Sequence, residues 1–173
     1  QTRTVEETGR IRFLGHPQEG AAVVAAILGR WRFSRREIDL VEGMVRHHLR
    51  PAQMAQGEEL PSRRAIYRYF RDTREVAIDT LFLSLADHWA TRGPHLTPEG
   101  WAAHIRVVRY ILEDPFREEC LIQPPKLVDG HDLMSIFGLP PGPTLGKLLE
   151  EVREAQAAGE IASREVALAW IKQ

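Results

Sequence analysis

The sequence predicts an all-α fold, and three observations support this. Apolar residues recur at helical spacing along most of the chain, helix-capping patterns precede several of these segments, and Gly or Pro separates them. The 173 residues are 43% hydrophobic and 27% charged, which is enough for a buried core in one domain or two small ones. No fixed repeat of roughly 20 to 50 residues is found, so a solenoid is not predicted.

The first elements are predicted from side-chain alternation and from one capping box. Residues 2–13 alternate polar with apolar side chains around a Gly, which favours a short hairpin. The Ala-rich stretch 21–31 is too long for a strand and predicts a buried helix. Ser34 and Glu37 have the spacing of a capping box, so a second helix should begin there and run to about Leu49.

A polar loop and two helices are predicted for the middle of the chain. The loop covers residues 51–60, because the proline at its start stops the second helix. A third helix begins near Ser62. The capping pattern that starts at Asp72 predicts a separate fourth helix, which ends at Gly93.

A fifth helix, from Trp101 to Glu113, precedes the best candidate for a linker. Residues 114–127 contain three prolines, which are typical of a connection between two parts of a chain. Three shorter helices are predicted beyond it: one that ends at Gly138, one from about Thr144 to Ala158, and one after Ser163.

Charge and composition narrow the function classes. With 23 Lys and Arg against 24 Asp and Glu, the net charge of -1 argues against a protein that grips nucleic acid along its whole surface. No apolar run approaches the roughly 20 residues that span a bilayer, so no membrane partner is expected. Cys120 is the single cysteine and excludes an internal disulfide. A reducing cytoplasm is the expected compartment.

Histidines and one carboxylate on helical faces form the first candidate site. His48 falls on the apolar stripe of the second helix, and His47 lies beside it. Asp87 lies on or beside the apolar face of the fourth helix, where a metal ion or a His is the usual partner of a buried carboxylate. His16 could supply a third imidazole. A His–Asp hydrogen bond in the core, or side chains turned to solvent, remain the alternatives.

Arginines interleaved with aromatic residues form the second candidate site. Three of the arginines share one helix face, a stripe suited to a phosphate backbone. The aromatic residues could stack on bases or pack inward, and nearby carboxylates could neutralise the stripe. The interleaved aromatic residues are Tyr67, Tyr69 and Phe70. The candidate RNA-binding residues are Arg63, Arg64, Arg68, Arg71, Arg74 and Lys147.

The other residues with reactive side chains are predicted to have no catalytic role. We predict that His88, His95, His104 and His131 are surface or capping residues. Lys147 follows a Gly-containing turn that has neither the length nor the Ser/Thr of a phosphate-binding loop. Nucleophilic catalysis therefore has no visible site in this sequence.

Four ordered segments carry a family resemblance: RIRFLGHPQEGA at 10–21, FSRREIDLVEGMVRHHLRP at 33–51, LSLADHWATRG at 83–93 and LVDGHDLMSIFGLPPGPTLGKLLEEVREAQAAGEIASREVALAWI at 127–171. The first three resemble the latter part of an HD-type metal-dependent phosphohydrolase domain. The domain is of the kind found in bacterial tRNA nucleotidyltransferases, the CCA-adding enzymes, and their poly(A) polymerase relatives. The fourth segment is similar to the tail of the same enzymes and is the more specific match.

The resemblance implies a partial HD-type helical bundle over residues 1–113, the linker over 114–127 and a helical tail over 128–173. It makes His16, one or both of His47 and His48, and Asp87 candidates for the metal set. An earlier His, a His-Asp doublet and a nucleotidyltransferase head are absent, and the chain begins with Gln. We therefore expect a C-terminal fragment that is inactive by itself.

The implied cofactors are divalent metals in the parent protein: Mg²⁺ for nucleotidyl transfer, and a transition metal or Mg²⁺ for an HD site. The implied partners are the parent's N-terminal head and tRNA or another RNA, bound through the full-length protein. The primary hypothesis is an RNA-supporting scaffold in tRNA 3′-end processing. The alternatives are a metal-dependent phosphohydrolase that acts on nucleotides or phosphate esters, and a non-catalytic helical interaction module.

Overall fold

The computed structural model describes residues 2–5, 11–55, 59–113 and 126–172. Two short strands, β1 (Arg3–Val5) and β2 (Ile11–Phe13), open this part of the chain, and helices account for most of the rest. The all-α class is confirmed. The helices are α1 (His16–Arg30), α2 (Arg35–His47), α3 (Arg50–Met54), α4 (Arg63–Thr73), α5 (Ala77–Arg92), α6 (Pro98–Glu113), α7 (Gly130–Phe137), α8 (Pro143–Ala157) and α9 (Arg164–Ile171). None of the described helices is long and apolar enough to cross a membrane.

The strand pair agrees with the predicted hairpin. β1 and β2 are antiparallel, with Arg3 opposite Phe13 and Val5 opposite Ile11. They form the only sheet in the described part of the chain. The residues between the two strands lie outside it.

Local capping signals fix several helix ends. The Ser34 Oγ accepts from the Glu37 backbone N–H at 3.3 Å, and the Glu37 carboxylate accepts from the Ser34 N–H at 2.8 Å. This is the predicted capping box of α2. Gly138 ends α7 with a φ of 66°, a left-handed conformation that costs glycine little.

The predicted loop over residues 51–60 is wrong for its first part. α2 ends at His47, and the short helix α3 (Arg50–Met54) follows, with Pro51 in its first turn. Proline is tolerated there because the first N–H groups of a helix have no intrahelical partner. Pro51 therefore starts a helix as well as separating it from α2.

The helix start predicted at Asp72 is also wrong. α4 continues through Asp72 to Thr73, and the break falls at Arg74, whose φ is 50°. A 3₁₀ turn over Arg74–Val76 then leads into α5. The Asp72 carboxylate accepts a hydrogen bond from the Arg71 Nε at 2.7 Å, so an ion pair occupies the group that was expected to cap a helix.

Contacts divide the chain into two compact units. Unit 1 consists of residues 1–60 and 73–112. Within it α1 packs against α2, and α5 packs against α2 and α3. Its buried apolar side chains are Ala21, Leu28, Ile38, Val76, Ala77, Leu81, Val107, Val108 and Ile111.

Unit 2 consists of residues 61–72 and 113–173, so most of α4 groups with the tail. Within it α8 packs against α7 and α9. Residues 114–125 of the predicted linker lie outside the described part of the chain, and the predicted domain boundaries stay a prediction. A cluster of buried apolar residues joins the tail helices: Val128, Val152, Ala155, Ile161 and Ala167.

The prediction that His88 and His104 are surface or capping residues is wrong. Their exposed fractions are 9% and 1%, and their rings stack with centroids 4.7 Å apart. The buried face of α5 runs through Leu81, Ser84 and His88, and Ser84 Oγ lies 3.2 Å from His104 Nε2. Burial lowers the pKa of both imidazoles, which favours their neutral forms.

Candidate metal and nucleic-acid sites

His16 and His48 form a pair within unit 1. His16 begins α1 and His48 follows the last residue of α2, and packing of these two helices brings the rings together. The two Nε2 atoms are 3.3 Å apart, and the ring centroids are 5.2 Å apart. Both residues belong to the predicted metal set, and the structure brings them together.

Backbone carbonyls fix the orientation of both rings. The His16 Nδ1 lies 2.7 Å from the carbonyl oxygen of Phe13, and the His48 Nδ1 lies 2.6 Å from that of Val45. A carbonyl oxygen only accepts, so each Nδ1 carries the proton. In the neutral tautomers both Nε2 atoms therefore present lone pairs to each other. A divalent cation or one shared proton would satisfy them, and donation of the other ring N–H to a backbone carbonyl is typical of metal-binding histidines.

The other two residues of the predicted metal set, His47 and Asp87, are not part of the His16–His48 pair. His47 lines a surface pocket together with Arg46 and Arg50. Asp87 lies on α5 one residue before the buried His88, and its side chain is half-buried. The described residues contain no group of three or more His, Cys, Asp or Glu side chains placed to hold one metal ion. The inclusion of His47 and Asp87 in a metal set stays a prediction.

The arginine stripe of α4 faces carboxylates within unit 2. Arg64 donates to Glu160 at 2.7 Å, and Arg68 donates to Glu154. Arg71 reaches two carboxylates of α8, in addition to that of Asp72. Its hydrogen bonds within unit 2 are to Asp72 at 2.7 Å, Glu150 at 2.7 Å and Glu154 at 2.8 Å.

Glu154 is the centre of this ion-pair network. Only 6% of the residue is exposed, and two guanidinium groups donate to its carboxylate. The hydrogen bond from Arg68, followed by that from Arg71, lowers the pKa of Glu154. The carboxylate of Glu154 in turn raises the pKa of Arg68. The network holds α4 to α8 by charge-assisted hydrogen bonds.

The remaining cations of the predicted RNA site lie at the surface. Arg63 at the start of α4, Arg74 in the 3₁₀ turn and Lys147 on α8 are all exposed. The interleaved aromatic residues Tyr69 and Phe70 are buried, and their rings meet edge to face at 5.5 Å. Inward packing, one of the two alternatives left open for them, is the arrangement observed.

Comparison with known proteins shows which proteins this chain resembles. Residues 123–171 match a family model described as tRNA nucleotidyltransferase domain 2, putative. The CC-adding tRNA nucleotidyltransferase of Thermus thermophilus is 36% identical over 166 residues, which cover 95% of this chain and 34% of that enzyme. By sequence, the chain is similar to tRNA nucleotidyltransferases over nearly its whole length. The A-adding tRNA nucleotidyltransferase of Deinococcus radiodurans is 32% identical over 169 residues, 96% of this chain and 36% of that enzyme.

The chain spans about a third of the length of the curated enzymes that it matches. No solved structure matches it. The two enzymes are named for adding different nucleotides, yet their identities to this chain differ by only a few per cent. The shared region is therefore common to enzymes of different nucleotide specificity.

Proposed function

We propose that this chain is the RNA-supporting C-terminal part of a tRNA nucleotidyltransferase that acts in tRNA 3′-end processing. Similarity over nearly the whole chain to both a CC-adding and an A-adding enzyme carries the proposal. The partners are tRNA and the N-terminal head of the parent protein. Nucleotidyl transfer, with its divalent Mg²⁺ ions, is assigned to that head and not to this chain.

The contacts of unit 2 support two different roles for its cations, scaffold stability and phosphate binding. Arg64, Arg68 and Arg71 are held by carboxylates, so their main contribution is to the rigidity of the scaffold. Lys147 is exposed on the same unit. We assign a phosphate contact to Lys147, because it lies on α8, the helix that pairs with the arginine-bearing helix α4, and a cation at the surface releases counterions when it meets a phosphate.

Exchange of Lys147 for Ala is expected to weaken tRNA binding and to reduce its salt dependence. Each lost phosphate contact lowers the slope of log K against log salt by about 0.7 to 0.9. Filter binding of tRNA to the chain at several salt concentrations measures this slope. Lys126→Ala, an exposed lysine of the same unit, is the matched control and should leave the slope unchanged. Failure of the unsubstituted chain to bind tRNA would contradict the scaffold function itself.

The His16–His48 pair supports a second candidate function, a metal-dependent phosphohydrolase within the parent protein. Its two facing Nε2 atoms and carbonyl-bound Nδ1 atoms suit two ligands of a divalent metal. A metal bound there would lower the pKa of a water and turn it into a nucleophile for a phosphate ester. The role of the chain's own residues is to hold the ion and to keep both imidazoles in the ligating tautomer.

Neighbouring histidines provide a direct test of this candidate. His48→Ala is expected to reduce the affinity for Co²⁺ or Zn²⁺ by at least tenfold, because one of two imidazole ligands is lost. His47→Ala, one residue away but in the lining of the pocket, should leave the affinity unchanged. Isothermal titration calorimetry of the whole chain measures both affinities. Equal losses for the two variants would count against the pair as the metal site.

A further inference from the structure

A surface pocket of about 290 Å³ opens where α1 begins and α2 gives way to α3. Its polar lining comes from three short segments of unit 1. Gln18 lies in the first turn of α1, Arg46 and His47 end α2, and Arg50 and Gln53 belong to α3. Five residues whose side chains carry N–H groups therefore line one cavity.

The described residues of this lining carry hydrogen-bond donors and positive charge but no negative charge. The described residues around the cavity comprise two guanidinium groups, one imidazole, two amides and the apolar Pro17 and Leu49, with no carboxylate among them. Arg46 forms an ion pair with Glu42 one helical turn away. Pairs of this kind at a surface are weak, so an anion in the pocket can compete for the Arg46 guanidinium.

The size and donor geometry favour a phosphate group. Guanidinium groups present N–H donors in a planar fork that matches two phosphate oxygens, and amide N–H groups suit the remaining ones. The volume lies near the lower end of small-ligand pockets, at about 300 Å³, which accommodates a phosphate group with a small substituent.

We propose that Arg46, Arg50 and Gln53, with His47 and Gln18, form a binding site for the phosphate group of a small ligand. The cation assigned to tRNA lies in unit 2, and neither His16 nor His48 is among the residues that line the pocket. The site requires neither the scaffold function nor a metal at the histidine pair.

Nuclear magnetic resonance of the whole 19.7 kDa chain tests the site. Inorganic phosphate is titrated at constant ionic strength, and the backbone amides and Arg Nε–H signals are followed. Saturable shifts confined to the pocket segments are expected. A nucleoside 5′-monophosphate in a parallel titration distinguishes free phosphate from a phosphate ester by which of the two binds more tightly. Acetate should not saturate the site, and an equal response to acetate would overturn the proposal.

Substitutions separate this pocket from general surface charge. Arg50→Gln is expected to raise the Kd for phosphate at least tenfold. Gln53→Glu, at an exposed position, should do the same by adding a carboxylate while every cation is kept. Arg35→Gln is the control for lost charge, because Arg35 also forms an i,i+4 ion pair on α2, with Asp39, but lies outside the pocket. The same spectra verify the fold of the Gln53→Glu variant. An unchanged Kd for phosphate in that folded variant would overturn the proposal.

Discussion

Replacing Phe70 by Ala is expected to lower the free energy of unfolding by about 3 to 5 kcal/mol. Phe70 lies on α4 with 2% of its surface exposed, so the substitution removes a buried ring and leaves a cavity. The same residue was one of three aromatics that could have stacked on RNA bases. A stacking residue would lose RNA affinity without losing stability, whereas a core residue loses stability first. Urea denaturation followed by circular dichroism measures the effect.

Phe82→Ala provides the matched control for this loss. Phe82 lies on α5 and is 56% exposed, so the same chemical change removes little buried surface and should alter the stability by less than about 0.5 kcal/mol. Equal losses for the two variants would mean that Phe70 is not part of a core. Preserved stability of Phe70→Ala together with weaker tRNA binding would restore the stacking alternative.

The sequence predicts best those features whose interacting groups lie within a few residues of one another. The Ser34–Glu37 capping box and the left-handed glycine at Gly138 each depend on backbone groups within one or two helical turns. Both features can therefore be predicted from the residue types and their spacing. The break between α4 and α5 was misplaced because Asp72, although a good capping residue, binds Arg71 instead.

The arginine stripe shows what local reasoning misses. Its partners were sought among acidic residues close in sequence, but Glu154 is 86 residues from Arg68 and Glu160 is 96 residues from Arg64. Ion pairs between residues so far apart in sequence form only when tertiary packing brings their helices together. One signal was present: Glu150 and Glu154 are four residues apart, the same helical spacing as Arg64 and Arg68.

The histidines illustrate a similar limit for the candidate site. Helical periodicity placed His48 on the apolar stripe of the predicted second helix and His47 beside it, but it could not show which of the two meets His16. On α5 the predicted stripe ends at Asp87, whereas the buried face is the neighbouring one that ends at His88. Adjacent stripes on an apolar helix differ by one residue, and only packing selects between them.

Replacing Glu154 by Ala is expected to destabilise unit 2 by about 2 kcal/mol at neutral pH. Charge-assisted hydrogen bonds contribute about 1.5 to 3 kcal/mol each, and the carboxylate accepts them from Arg68 and Arg71. The value is discounted because both guanidinium groups are a third or more exposed and regain water when the carboxylate is lost. Glu151→Ala is the control, since Glu151 is exposed on the same helix.

The pH dependence of this difference distinguishes an ion pair from simple packing. Because the hydrogen bonds from Arg68 and Arg71 lower the pKa of Glu154 below its ordinary value of 4.5, the folded chain binds fewer protons there than the unfolded chain. The stabilisation is therefore complete above that ordinary value and is lost as the pH falls through the folded pKa. The gap in unfolding free energy between the unsubstituted chain and Glu154→Ala should be widest near pH 7 and shrink steadily below about pH 4.5. A gap that persists unchanged in acid would show that Glu154 acts through its methylene contacts, because packing of aliphatic atoms does not titrate.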